Sequence, residues 1–123
     1  MSVEINYFKR SRHAVSFSCG DLIFDAGAPG ELMYGVQSGE VRLIHPDGKL
    51  ERVEAGGIFG EAGFIERQPH TMAAVALTDC TLIPVDRWYF QFLTNETPGF
   101  ALMVMQTLLR RLRGAGKGDT VAA

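Results

Sequence analysis

The sequence has few of the residues that mark several protein classes. Two cysteines, Cys19 and Cys80, occur in 123 residues, and their spacing fits neither a metal site nor a redox motif. Both lie in apolar strand patterns, so we expect buried free thiols in a reducing cytoplasm. No apolar run approaches the roughly 18 residues that a membrane span needs, and no secretory signal pattern is present. The sequence therefore predicts a cytoplasmic protein that is not associated with a membrane.

Positive charge is scarce in the middle of the chain. The net charge is −2, and basic residues are concentrated near the two ends, at Lys9, Arg10 and Arg12 and again at Arg110, Arg111 and Arg113. A nucleic-acid-binding domain usually carries a basic face in its body. The arginines near residue 110 are explained by favourable charge at a helix C-terminus. We therefore expect no direct binding of nucleic acid.

Catalytic and metal-binding signatures are also missing. The chain has no nucleophile elbow and no His-x-x-x-His pair, and its histidines, His13, His45 and His70, lie on separate segments. A cupin-type metalloenzyme would need two histidines and a glutamate on adjacent strands. We therefore expect no enzymatic activity, no metal and no cofactor other than a small ligand.

Residues 14–85 have the pattern of a β protein. Short apolar stretches alternate with turn residues, and the Asp47-Gly48 pair is typical of a tight hairpin. Asp86 is a suitable N-cap for a helix over 87–93, and Thr97-Pro98 begins a second helix that should end near Gly114. The sequence predicts one domain over 1–123, mainly β with C-terminal helices. It comprises an antiparallel β-roll (14–85), helices (86–113) and a flexible tail (114–123).

The last helix is apolar on nearly all sides for three turns. Two adjoining stripes at helical spacing imply two partners, the protein's own β-roll and a second copy of the chain. The alternative is that the helix is buried on all sides in the core of a single domain. We predict a homodimer, with an interface formed by Phe100, Ala101, Val104, Met105, Leu108 and Leu112.

The segment from Gly56 to Val75 predicts a binding site. A Gly60-Glu61 pair opens a very short helical stretch, and a hydroxyl residue enters an apolar strand about ten residues later. The first N–H groups of a helix have no partner within the helix and attract phosphate. A carboxylate would repel phosphate, so Glu61 would bind a sugar hydroxyl or cap its own helix. The combination suggests recognition of a sugar phosphate.

This stretch also resembles a known family. The run 59–65, Phe-Gly-Glu-Ala-Gly-Phe-Ile, followed by Pro-His-Thr at 69–71, is similar to the phosphate-binding cassette of cyclic nucleotide-binding domains. The resemblance implies a jelly roll, or double-stranded β-helix, with its cassette over 57–75, and cyclic AMP or cyclic GMP as ligand. The ligand-binding residues that it implies are Phe59, Gly60, Glu61, Ala62, Gly63, His70, Thr71 and Met72.

Two cassette positions depart from the family pattern. The resemblance implies that Glu61 accepts a hydrogen bond from the ribose 2′-hydroxyl and that Thr71 contacts the phosphate. His70, however, stands where the family has the arginine that pairs with the phosphate. Losing such a charged hydrogen bond costs about 1.5–3 kcal/mol, so we expect weak binding. Met72 replaces a small residue and either fills part of the pocket or points into the core.

The resemblance favours a regulatory sensor module over an enzyme. The chain is similar to the sensor domain of catabolite activator protein-like transcription regulators, and we expect this domain to stand alone, without a DNA-binding domain. Ligand binding at the cassette would then move the C-terminal helices and signal to an effector protein. The alternative is a degenerate domain that binds no nucleotide and acts through dimer or partner contacts.

Overall fold

The computed structural model describes residues 5–120, with side chains described up to Gly114. The chain forms two compact units, one ending at Arg87 and one beginning at Trp88. The prediction of a single domain over 1–123 is not tested by this division and stays a prediction.

The first unit contains eight short strands and one short helix. The strands are β1 (Val15–Phe17), β2 (Leu22–Phe24), β3 (Met33–Ser38), β4 (Val41–Ile44), β5 (Leu50–Val53), β6 (Ile58–Phe59), β7 (Ala73–Ala76) and β8 (Cys80–Val85). Helix α1 (Glu61–Glu66) lies between β6 and β7. All eight strands lie within 14–85, the range predicted for the β-roll.

The strands form two four-stranded antiparallel sheets, which confirms the predicted antiparallel roll. One sheet has the order β1-β8-β3-β6 and the other β2-β7-β4-β5. Gly48, with φ 86°, occupies the left-handed conformation in the predicted β4–β5 turn, which glycine adopts without steric cost. In both sheets, strands from the start of the chain pair with strands from its later part, such as Val15 with Leu82 and Leu22 with Val75.

The inward faces of the strands make one apolar core. In β4 the alternation is regular, with Val41 and Leu43 fully buried and Arg42 exposed. The buried cluster comprises Val36, Val41, Leu43, Val53, Phe59, Met72, Ala74, Ala76, Cys80 and Leu82. Cys80 is buried as expected, but the expectation for Cys19 was wrong. Cys19 is exposed because β1 ends at Phe17, before the alternating pattern reaches it.

The segment before β1 is held against the first sheet by packing and hydrogen bonds. Phe8 is fully buried, and a methyl group added to Gly35 would lie 2.3 Å from its Cζ atom. The Gln37 side chain donates to the carbonyls of Phe8 and Ser11, at 2.9 and 3.0 Å. Gly35 therefore leaves the space that the Phe8 ring occupies.

The second unit contains the end of the chain. Helix α2 (Arg87–Glu96) begins at the last residue of the first unit, and α3 (Pro98–Thr120) follows. The start of α3 agrees with the Thr97-Pro98 signal, but the predicted helix end at Gly114 was wrong, because α3 continues to Thr120. The flexible tail over 114–123 stays a prediction. A glycine ends a helix when it turns left-handed, and Gly114 is absent from the residues with positive φ. Residues 121–123 lie outside the described chain.

Candidate functional site

The predicted cassette has the loop–short helix–loop form expected from its sequence. β6 pairs with β3 and leads the chain into Gly60, whose φ of 77° and ψ of 7° are left-handed. Helix α1 then begins at Glu61. It ends at Arg67, also left-handed at φ 57°, whose N–H is bonded to the carbonyls of Gly63 and Phe64. Both ends of α1 are thus fixed by the backbone.

Glu61 is held inside the site. It is the first residue of α1, and its side chain is only 3% exposed. A carboxylate at this end of a helix is favoured by the helix dipole. Burial lowers the pKa of the His70 imidazole, and the Glu61 charge acts against that shift. The buried Glu61 carboxylate and the buried His70 imidazole therefore interact electrostatically.

His70 is anchored through its backbone and its ring. Its N–H donates to the Ala28 carbonyl at 2.9 Å, and its own carbonyl accepts from Gly27 N–H at 2.7 Å. The ring stacks on Phe24 with centroids 4.0 Å apart and an interplanar angle of 16°. A methyl group at Gly63 would lie 3.0 Å from His70 Nδ1. The imidazole thus lies directly against the glycines of the cassette.

Burial of the His70 imidazole favours its neutral form. It lowers the pKa of the ring below 6.5, although a hydrogen bond with the Leu32 backbone and the Glu61 charge oppose the shift. The interaction with the Leu32 backbone leaves Nδ1 without a hydrogen bond. Nδ1 is the one buried side-chain nitrogen or oxygen without a hydrogen bond among the described residues. The arginine of the family pattern is therefore replaced by an imidazole with a lowered pKa and an unpartnered buried Nδ1.

The other predicted ligand-binding residues divide by burial. Phe59 and Gly60 are buried, Gly63 is half-buried, and Ala62 and Thr71 are exposed. Met72 is 9% exposed and packs in the core cluster. Of the two alternatives for Met72, the structure favours the core.

Sequence reasoning missed the aromatic side chains that surround His70. Phe24 and Tyr34 come from β2 and β3, and each lies within 6.0 Å of another ring of the group. Tyr34 stacks on Phe59 at 5.4 Å between centroids, and burial raises the pKa of its phenol. No local spacing could reveal this group, because three strands far apart in sequence supply it.

Sequence reasoning also missed a contact between α1 and the first residue of α2. The Arg87 guanidinium donates through Nη2 to the Phe64 carbonyl and lies 4.5 Å from the centroid of the Phe64 ring. The carbonyl belongs to the last turn of α1 and also accepts from the Arg67 N–H, so Arg87 adds a second donor to it. Arg87 thereby caps the cassette helix from outside it.

Helix α3 divides its apolar residues between two faces. Phe100 and Val104 are 0% and 3% exposed, and Phe100 meets the Phe90 ring edge-on at 5.7 Å. These two predicted interface residues are therefore covered within the chain. The exposed apolar residues, each at least half exposed, are Leu102, Met105, Leu109 and Leu112. Their spacing of three, four and three residues is that of a coiled-coil seam. Dimerisation itself stays a prediction.

Two further searches concern metals and membranes. Within the described part of the chain, no group of three or more His, Cys, Asp or Glu side chains is arranged to hold a metal ion. None of the helices in residues 5–120 has the length and apolarity needed to cross a bilayer.

The chain matches the family model described as the cyclic nucleotide-binding domain, over residues 14–97. It is 29% identical over 104 residues to a CRP-like cAMP-activated global transcriptional regulator of Mycobacterium tuberculosis, covering 80% of this chain and 46% of that protein. The chain therefore spans about half the length of this curated relative.

Solved structures agree with this match. The catabolite activator protein of Thermus thermophilus has a TM-score of 0.73 and 29% identity, covering 89% of this chain and 54% of that one. A structure from a cyclic-GMP-dependent signalling pathway that regulates bacterial phytopathogenesis has a TM-score of 0.70 and 26% identity, covering 81% and 84%. Together they place the two sheets and the cassette in a known jelly-roll type.

Proposed function

The chain belongs to the cyclic nucleotide-binding domain family, and we propose that it is a regulatory module that binds cyclic AMP or cyclic GMP weakly at the 57–75 cassette. The observation that supports this most is the buried Glu61 at the start of α1, directly after the left-handed Gly60. A buried carboxylate at this point can accept a hydrogen bond from a ribose hydroxyl. The first N–H groups of a helix have no carbonyl partner within the helix, and those of α1 can bind the phosphate.

The proposed output is mechanical. Ligand at the cassette changes the position of α1, and the contact of Arg87 with the Phe64 carbonyl passes this change to the start of α2. The ligand shifts the equilibrium only by its difference in affinity for the two arrangements. The module acts on an effector protein and not on nucleic acid, and it performs no catalysis itself. We place it in the cytoplasm, as a homodimer formed through α3.

Calorimetric titration with cyclic AMP and cyclic GMP tests the ligand. We expect binding in the high-micromolar to millimolar range, because His70 stands where the family pattern has a charged arginine. Glu61→Gln should weaken binding by about ten- to a hundredfold, since a hydrogen bond to a charged group contributes about 1.5–3 kcal/mol. Glu66→Gln, an exposed change in the same helix, is the matched control and should bind as the unmutated chain does. Equal binding by both variants would contradict the role of Glu61.

A second candidate function is a domain that has lost the ligand and acts through protein contacts alone. The observation that favours it is the neutral His70 ring, which is stacked on Phe24 and fills the space beside Gly60 and Gly63. This candidate predicts no heat of binding with either nucleotide, in the unmutated chain or in His70→Arg.

A further inference from the structure

His70 stands at the cassette position where the family pattern has the arginine that pairs with the phosphate, yet its burial favours the uncharged ring. It is 4% exposed, and Nδ1 is a buried acceptor with no partner. This nitrogen is aimed at the start of α1, since methyl groups built on Gly60 and Gly63 would lie 3.6 and 3.0 Å from it. A lone pair at this point repels a phosphate oxygen, whereas a proton on the same nitrogen would donate to it.

We propose that His70 is a proton-operated gate, so that the module binds a cyclic nucleotide together with one proton on Nδ1 and responds to nucleotide and acidity jointly. This inference rests on the proposed function. The step is an acid–base one: solvent supplies the proton, Nδ1 accepts it, and the imidazolium then donates a charged hydrogen bond to the phosphate.

The groups around His70 set the direction of the effect. Glu61 is the charged side chain that acts on it, from α1, and it favours the protonated ring. β2 contributes the uncharged Phe24 ring, and the segment before β3 contributes the Leu32 carbonyl. The remaining charged residues on the neighbouring segments are exposed, namely Asp25, Glu31, Glu66 and Arg67.

The sign of the linkage follows from these contacts. Burial lowers the pKa of His70 in the free protein, and a phosphate anion beside Nδ1 raises it in the complex. Binding therefore takes up a proton at any pH between these two values. Affinity must increase as the pH falls through that interval, by up to about tenfold per pH unit, and level off on either side. A cyclic phosphodiester keeps one negative charge over this range, so the ligand itself does not titrate.

Calorimetry of the full chain with cyclic AMP, between about pH 5.5 and pH 8, tests the gate. We expect the dissociation constant to fall by about tenfold or more towards the acidic end. Titrations in MES and in imidazole, which differ in ionisation enthalpy, should report uptake of up to one proton per ligand. His70→Arg, whose guanidinium is charged throughout, should bind more tightly and with an affinity independent of pH. The NMR titration of the His70 ring should show a higher pKa with ligand than without.

The possible outcomes distinguish the proton gate at His70 from the binding of a cyclic nucleotide itself. Binding by the unmutated chain that does not vary with pH or buffer overturns the gate and leaves the proposed function intact. Binding by His70→Arg alone also overturns the gate, since the site then exists but no proton opens it. Absence of binding in both proteins, with folding verified by circular dichroism, overturns the gate and the proposed function together.

Discussion

Substitution of Met72 tests whether its side chain packs in the core or occupies space for a ligand. The side chain is 9% exposed and belongs to the same buried cluster as Phe59, Ala74 and Leu82. Met72→Ala removes most of a buried side chain, and such changes cost about 2–5 kcal/mol because the surroundings close the cavity only in part. In a domain of this size each kcal/mol lowers the melting temperature by about 4 °C. We therefore expect a loss of roughly 8–20 °C.

Urea and thermal unfolding followed by far-UV circular dichroism measure this loss. Leu50→Ala is the control, since Leu50 is 57% exposed on β5, and surface changes of this kind stay within about 0.5 kcal/mol. If Met72 instead occupied ligand space, Met72→Ala would cost less than about 1 kcal/mol and would tighten binding of cyclic AMP. That pair of results would refute the assignment of Met72 to the core.

Three further outcomes are expected. Gly35→Ala should destabilise the protein by about 1–3 kcal/mol, because the new methyl group meets the Phe8 ring. Phe8→Ala in the same chain should relieve that strain, and strictly additive melting temperatures would argue against the contact. Burial lowers the pKa of His70, so the unfolded chain binds the proton more readily. Stability should consequently fall as the pH drops below 6.5. Unfolding in urea across this range should show a smaller loss for His70→Gln, and equal slopes would contradict the assignment. Leu109→Lys should convert a dimer into a monomer in light scattering, whereas Arg110→Gln, on another face of α3, should not. A monomeric unmutated chain at high micromolar concentration would remove the dimer proposal.

The sequence allowed the β-roll and the cassette to be predicted because their signals are local. Alternation along β4, the Asp47-Gly48 turn and the Gly60-Glu61 pair each depend on neighbours within a few residues. β6 was missed because two residues, Ile58 and Phe59, are too few to show alternation. The predicted end of α3 was wrong because glycine permits a left-handed turn without requiring one.

The site was less accessible to sequence reasoning than the fold. The presence of His70 in place of an arginine could be read directly, but the surroundings of its ring could not. The stacked Phe24 ring and the interactions with Leu32 and Glu61 come from three different segments. The predicted dimer stripe through Phe100 and Val104 shows the same limit. Helical spacing identifies the apolar faces of a helix, but it does not show which face is buried within the chain.

The pairing of early strands with late ones has a consequence for synthesis. β1 lies at the edge of its sheet and pairs with β8, and β2, at the edge of the other sheet, pairs with β7. At about 5–20 residues per second a ribosome needs several seconds to proceed from the first strands to the last. During that time β1 and β2 have no partner, and their open backbone edges can pair with other chains. Production in cells should therefore depend more on temperature and on chaperones than the stability of the finished roll would suggest.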